Sequence, residues 1–196
     1  MNLEKQKEHF KNHKATFTDY GNIKILDFKA PNTNDYRIRF LFEEDYYRLH
    51  ISGDLGELIA TNCHNMTYKH FTDFVNSIGY FESKIDCHNR PIYEYDVVKA
   101  RKDIKEYLEE NGYIENIVSN ADYSWYDTEE EALNEFLNEV LYDFNYVTGI
   151  GYCGYEKLNT VCSDIWEVVG DFGKTNTGIL DLYMLAFKLA QNDLKK

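Results

Sequence analysis

The chain has 196 residues, with 34 Asp and Glu against 21 Lys and Arg, which gives a net charge of −13. This balance disfavours direct binding to nucleic acid and to anionic membranes, because Lys and Arg supply most of the affinity for both. A composition of 43% hydrophobic and 16% aromatic residues excludes a disordered chain and predicts a folded globule.

The first half of the chain is predicted to begin with a short helix over residues 2–13 and to continue as a β-meander. Alternating apolar residues mark the strands, and the polar link at residues 43–45 is typical of a hairpin turn. Strands are predicted at residues 23–28, 36–42, 47–51 and 57–61. The second face of this sheet carries Arg37, Arg39, Arg48 and His50. Arg37, Arg39 and Arg48 are expected to pair with acids of the same protein, with an acidic ligand as the alternative.

The second half of the chain is predicted to be mainly helical. Apolar stripes at helical spacing indicate helices over residues 67–78, 95–111, 128–145, 163–169 and 178–194. Gly79 is expected to end the first of these, and Thr177 is expected to cap the last one. Thr128 and Glu131 form a capping box for the helix at 128–145. The stretch at residues 149–155 is expected to be a Tyr-rich loop or an edge strand.

These patterns together predict an α+β fold, with an N-terminal antiparallel β-meander packed against a mainly helical C-terminal half. The length favours one domain over residues 1–196. A sheet-rich lobe at 1–92 and a helical lobe at 93–196 form the alternative division.

Charge is distributed very unevenly along this chain. Residues 106–156 contain 13 carboxylates and no Lys or Arg, so the remaining residues contain 21 acids and 21 bases. The segment also contains 11 aromatic residues, which predict that it is folded. An acidic and aromatic surface of this kind favours a protein partner over a reaction.

The sharpest candidate within the segment is an acidic ridge on the predicted helix at 128–145. Glu131, Glu135 and Glu139 recur every four residues, roughly 6 Å apart along the helix axis, which is comparable with the phosphate spacing of a nucleic acid. Tyr and Trp side chains nearby are expected to be exposed and to anchor the same partner. The predicted partner-binding residues are Glu131, Glu135, Glu139, Asp122, Asp127, Tyr123, Trp125 and Tyr126. The alternative is an ordinary host interaction domain whose acidic face is only solvated.

Two Cys-His-Asn triplets, at residues 63–65 and 87–89, offer a second kind of chemistry. Structural zinc sites usually place ligand pairs as Cys-x-x-Cys or His-x-x-x-His, and neither triplet has that spacing. A metal-binding protein or a Cys/His enzyme therefore remains only the alternative. We expect no catalytic residue, no metal ligand and no cofactor.

The N-terminal residues and the apolar runs of the chain indicate its cellular compartment. No apolar run approaches the roughly 20 residues that span a bilayer, and residues 1–14 lack the apolar centre of a signal peptide. We therefore expect a cytoplasmic protein without a membrane partner. Its four cysteines are then expected to be thiols.

The runs at residues 36–42 and 49–56 resemble a pattern found in uncharacterised proteins of Gram-positive phages and mobile elements. The similarity covers residues 20–110 and carries no catalytic motif, so it assigns no role to any residue. Some proteins of this kind are anti-CRISPRs directed at Cas9, the type II-A nuclease. The resemblance therefore implies a small acidic inhibitor that binds a basic nucleic-acid-binding protein, such as Cas9 or its guide-RNA complex.

Overall fold

The computed structural model describes residues 3–196 and divides the chain into two compact units. Unit 1 contains the residues up to Ile92 together with Thr177–Lys196, and unit 2 contains Tyr93–Asn176. The chain thus leaves unit 1 once and returns to it for its last helix. The predicted α+β class is confirmed, with an antiparallel sheet followed by a mainly helical C-terminal half.

The strands are β1 (Lys14–Asp19), β2 (Ile23–Lys29), β3 (Ile38–Glu43), β4 (Arg48–Gly53), β5 (Leu58–Thr61), β6 (Ile85–His88), β7 (Tyr93–Tyr95) and β8 (Lys174–Asn176). The α-helices are α1 (Leu3–His9), α2 (Ile78–Glu82), α3 (Val97–Glu110), α4 (Ile114–Val118), α5 (Glu129–Val140), α6 (Tyr152–Asn159) and α7 (Ile179–Leu194). Short 3₁₀ helices span Phe71–Asn76, Ile165–Glu167 and Val169–Asp171.

Unit 1 is built on a six-stranded meander in which β1 to β6 pair with their chain neighbours, all antiparallel. Strict alternation along β3 buries Ile38, Phe40 and Phe42 on one face. Helix α7 covers this face, and its Phe187 packs edge-on against Phe40 and Phe42. The period of two in the sequence therefore determines which face is core.

The other face of the sheet carries the basic residues predicted from the sequence. Arg39 forms an ion pair with Asp27 at 2.7 Å, and Arg48 lies 3.6 Å from Glu43. His50 Nε2 is 3.0 Å from the same Glu43 carboxylate. The expected pairing with acids of the same protein is confirmed for Arg39 and Arg48.

The ends of several unit 1 elements differ from the predictions. The helix predicted at 67–78 is a 3₁₀ helix, Phe71–Asn76, followed by α2, which runs through Gly79 rather than ending there. Packing of the Phe71 ring against Phe74 and Phe81 accounts for this tighter path. Strand β1 was not predicted, and the predicted first helix starts at residue 2, which lies outside the described residues.

The imidazole of His13 is buried in unit 1, with only 5% of the residue's surface exposed. Its ring lies 5.1 Å from both Phe10 and Phe28, and neither ring nitrogen has a hydrogen-bond partner of normal geometry. Burial lowers the pKa of His13 below 6.5, against a weaker opposite effect of the nearby Tyr36 and Asp35 carbonyls. The fold therefore holds this imidazole neutral.

Unit 2 packs its helices around a core of its own. Asp96 caps α3 by accepting a 2.7 Å bond from the Lys99 amide, and Thr128 caps α5 by accepting one from the Glu131 amide at 3.2 Å. The core residues include Ile104, Leu108, Ile117, Tyr123, Leu133, Phe136, Leu137, Val140, Leu158, Ile165 and Phe172. Both capped helices begin where the sequence predicted them, within two residues.

Three predictions for unit 2 are wrong in extent or type. Helix α5 ends at Val140 instead of residue 145, and the segment predicted as helix at 163–169 forms 3₁₀ turns. The stretch expected to be a loop or edge strand contains α6, whose N-terminal amides are capped by Asp143 from outside the helix. A Cβ at Gly154 would lie 2.1 Å from the Val140 carbonyl oxygen, so close packing explains this glycine inside a helix.

Candidate functional site

All of the net charge of the protein is carried by unit 2. Residues 93–176 contain 19 Asp and Glu against 6 Lys and Arg, a net charge of −13, whereas the rest of the chain contains 15 acids and 15 bases. The segment that carries the net charge, residues 106–156, therefore lies entirely within one folded unit. An acidic body of this size attracts cationic partners over distances of about one Debye length.

The few cations of unit 2 are largely engaged already. Lys99, Lys102 and Lys105 on α3 pair with acids of their own helix four residues later. Lys174 pairs with Asp171. Among the residues that the structure describes, most carboxylates of the unit have no Lys or Arg within 4 Å.

Three aromatic rings form a ladder from the core to the surface. Tyr123 is buried, the half-buried Tyr126 stacks on it with ring centroids 6.4 Å apart, and Trp125 stacks on Tyr126 at 4.0 Å. The Trp125 indole N–H donates a 2.7 Å hydrogen bond to the Asp122 carbonyl oxygen, yet 70% of the side chain is exposed. Trp125 is therefore both exposed and held in one orientation.

Tyr123 does not form part of the surface, and the expectation that it is exposed is wrong. Its side chain is 2% exposed, and its ring packs edge-on against Phe136. Its hydroxyl donates a 2.7 Å bond to Glu139 Oε2. Burial, with a further contribution from Glu139, raises the pKa of Tyr123 to about 12.

Glu139 is also not a free acid of the ridge. Lys157 of α6 approaches Glu139 Oε2 at 2.5 Å and lies 5.0 Å from the centre of the Tyr123 ring. Burial alone would raise the pKa of Glu139, but hydrogen bonds from Lys157 and Tyr123 outweigh it, and the pKa is lowered. The same contacts raise the pKa of Lys157 against the effect of its burial. The three residues form a structural cluster, so Glu139 is a paired member of the predicted ridge.

The remaining carboxylates converge beside the exposed tryptophan. Trp125, Tyr126, Asp127, Glu131, Asn134 and Glu135 line an open hollow of about 430 Å³, which we call the Trp125 hollow. Within residues 3–196, none of its three carboxylates has a Lys or Arg within 4 Å. Burial raises the pKa of the Tyr126 hydroxyl, and the negative charges of Glu135, Glu139 and Glu131 add to that rise.

The structure therefore brings some of the predicted partner-binding residues together and separates others from them. Glu131, Glu135, Asp127, Trp125 and Tyr126 come together in the Trp125 hollow, and Asp122 supports it through its backbone carbonyl. Tyr123, which precedes α5, and Glu139 form a separate cluster with Lys157.

Two residues near the ridge were not predicted to matter. Lys157, the partner of Glu139, lies one residue beyond the segment that contains no base. Arg101 on α3 donates a 2.5 Å bond to Asn138 Oδ1, and the Asn138 amide donates to Glu135 at 3.2 Å. No local sequence pattern predicts either contact, because the two pairs of partners are 18 and 37 residues apart in the chain.

Other exposed aromatic side chains of unit 2 lie around the turn between α5 and α6. Tyr146 and Tyr152 are exposed there, as is Tyr142, whereas Tyr155 is half-buried. Paired hydrogen bonds between Asn145 and Gly149 close the turn. These residues are not part of the Trp125 hollow.

The Cys-His-Asn triplets contribute to no group of three potential metal ligands within residues 3–196. Cys87 shares a row across the sheet with Ile59 and His50, so the thiol and that imidazole are two strands apart, roughly 10 Å. His88 Nδ1 is 2.7 Å from the Arg90 carbonyl oxygen, and Cys63 is exposed. In the part of the chain that the structure describes, no three His, Cys, Asp or Glu side chains are grouped so that they could hold a metal.

No helix within residues 3–196 is long and apolar enough to cross a membrane. Comparison of the chain with protein-family models, with curated protein sequences and with solved structures finds no match. The functional argument therefore depends on the chemistry of unit 2.

Proposed function

We propose that this protein is a binding inhibitor that uses unit 2 to occupy the cationic surface of a nucleic-acid-binding protein. The observation that carries the proposal is the confinement of the whole net charge of −13 to one folded unit. Such a unit competes electrostatically with a nucleic acid for the same Lys and Arg side chains. Its charge also steers association with a basic partner.

The Trp125 hollow supplies the specific part of this surface. Asp127, Glu131 and Glu135 present carboxylates without neighbouring bases, and Trp125 offers a rigid aromatic anchor. Tryptophan is enriched among the residues that dominate binding energy. The set of unpaired carboxylates is smaller here than on the predicted ridge, because Glu139 is paired with Lys157.

A basic nuclease is the class of partner with which the proposal begins. The resemblance of residues 36–42 and 49–56 to phage and mobile-element proteins, some of them Cas9 inhibitors, makes Cas9 with its guide RNA the first probe. The inhibitor would bind this complex and reduce its access to target DNA. Unit 1, with no net charge, would then contribute through shape and exposed side chains.

The test is binding and cleavage with the Cas9–guide-RNA complex at several salt concentrations. Replacing Asp127 by Asn and both Glu131 and Glu135 by Gln should weaken binding by about tenfold at low salt and flatten its salt dependence, because three exposed ion pairs contribute about 1.5 kcal/mol together. A matched control makes the same charge change in unit 1, with Glu8→Gln, Glu57→Gln and Asp73→Asn, and should change binding less than twofold.

Three results separate the elements of the proposal. Equal losses in the two triple variants would show that only total charge matters and would remove the hollow from the interface. Undiminished binding in both would overturn the electrostatic basis. A complete lack of binding and of cleavage inhibition would exclude this nuclease as the partner.

A further inference from the structure

Trp125 combines high exposure with restraint, which is unusual for a surface side chain. One face of its indole is stacked on Tyr126 at 4.0 Å, and its N–H is committed to the Asp122 carbonyl oxygen. The opposite face is open to solvent, in keeping with its 70% exposure. Because the ring is already held in one orientation, stacking of a partner on this face costs little side-chain conformational entropy.

Three carboxylates line the same open hollow as the exposed Trp125 ring. Glu131 and Glu135 are about one helical turn apart on α5. Their backbone positions therefore differ by about 6 Å along the helix axis, and both side chains line the hollow. Asp127 and Asn134 complete the lining with further oxygen acceptors. The Asn138 amide holds Glu135 through a 3.2 Å hydrogen bond and leaves its other oxygen available.

This combination fits a planar, delocalised cation better than a compact one. A guanidinium stacks flat on an indole, is weakly hydrated, and donates up to five hydrogen bonds in a fixed fork. An ammonium is strongly hydrated and donates from a single point. Carboxylates and an exposed aromatic ring in one hollow therefore match the donors and the flat face of arginine, which binds carboxylates in two-bond pairs.

We propose that the Trp125 hollow is an arginine-binding site, which takes one guanidinium of a cationic partner between the Trp125 ring and the carboxylates of Asp127, Glu131 and Glu135. The inference rests on the proposed function and makes it more specific, since it names arginine rather than positive charge as what the surface recognises. The acidic remainder of unit 2 supplies attraction that does not distinguish Arg from Lys.

The experiment compares two labelled peptides, an Arg-Gly repeat and a Lys-Gly repeat of equal length and charge, by fluorescence anisotropy with the full chain. We expect the Arg-Gly peptide to bind about fivefold more tightly at moderate salt. Trp125→Ala should remove this preference while both peptides keep weak, salt-dependent binding. Trp166→Ala is the matched control, because Trp166 is also an exposed tryptophan of unit 2, and it should retain the preference.

The outcomes distinguish this inference from the proposed function. Equal affinity of both peptides for the native chain, or an Arg preference that survives Trp125→Ala, would overturn the arginine site and leave a general cation-binding surface. Failure of both peptides to bind at low salt would overturn the proposed function as well. Circular dichroism of the two tryptophan variants shows whether each remains folded.

Discussion

Glu131 and Glu139 provide a matched pair, because they have the same residue type on the same helix but different surroundings. The sequence makes them equivalent members of one ridge. In the structure, Glu139 accepts bonds from Tyr123 and Lys157, whereas Glu131 has no neighbouring base among the described residues. We predict that Glu139→Ala destabilises unit 2 by about 2 kcal/mol and that Glu131→Ala changes its stability by less than about 0.5 kcal/mol.

The larger value has two contributions. The ion pair with Lys157 contributes about 0.5–1 kcal/mol, since the Glu139 and Lys157 side chains keep 42% and 23% of their surface exposed and solvent screens their attraction. The buried Tyr123 hydroxyl, left without its acceptor, costs about 1–2 kcal/mol more. Glu139→Gln keeps an oxygen for that hydroxyl and loses only the charge, so it should cost about 1 kcal/mol.

Urea unfolding followed by tryptophan emission measures this directly, because both tryptophans of the chain, Trp125 and Trp166, lie in unit 2. The pH dependence gives a second check. The pKa of Glu139 is lowered in the folded state, so its contribution is present above about pH 4.5 and is lost as the pH falls through the folded-state pKa. Similar destabilisation by Glu131→Ala and Glu139→Ala at pH 7 would refute the assignment of different roles to the two carboxylates.

Three further predictions test the packing that positions the surface. Gly154→Ala should destabilise unit 2 by about 2–4 kcal/mol, because the new Cβ meets a backbone oxygen. The new Cβ of Gly79→Ala lies in open space, so this change should stabilise α2 by up to about 1 kcal/mol. Equal shifts in melting temperature for the two variants would contradict this difference. Asp143→Ala should cost about 1–2 kcal/mol through the lost cap of α6, and Asp143→Asn should cost part of this, because its single amide oxygen accepts only one of the two N–H bonds, as measured by urea unfolding. The pKa of His13 is lowered in the fold, so unit 1 should lose stability as the pH falls below 6.5 until the folded-state pKa is reached. His13→Phe should abolish this part of the pH dependence in circular dichroism melts. An unchanged pH profile in that variant would show that His13 is not the responsible group.

Local patterns predicted much of the architecture, for identifiable physical reasons. Alternation in β3 and β4 determines a buried face whatever the rest of the chain does, and Asp96 or Thr128 starts a helix through contacts within three residues. Elements that depend on distant partners escaped prediction. Strand β1 pairs with β2 along its full length but lacks strong alternation, and α6 is capped by Asp143, ten residues before Cys153.

The candidate surface shows the same division between local and distant information. The sequence by itself determined that the protein is strongly acidic, that its net charge is confined to one segment rich in aromatic residues, and that α5 carries a carboxylate on every turn. Only the tertiary structure decided which of these groups are available to a partner. Packing of α6 against α5 brings Lys157 to Glu139 and buries Tyr123, while the stack of Trp125 on Tyr126 stays at the surface. Charge is a property of composition, but exposure and pairing depend on which distant residues the fold brings within a few ångströms.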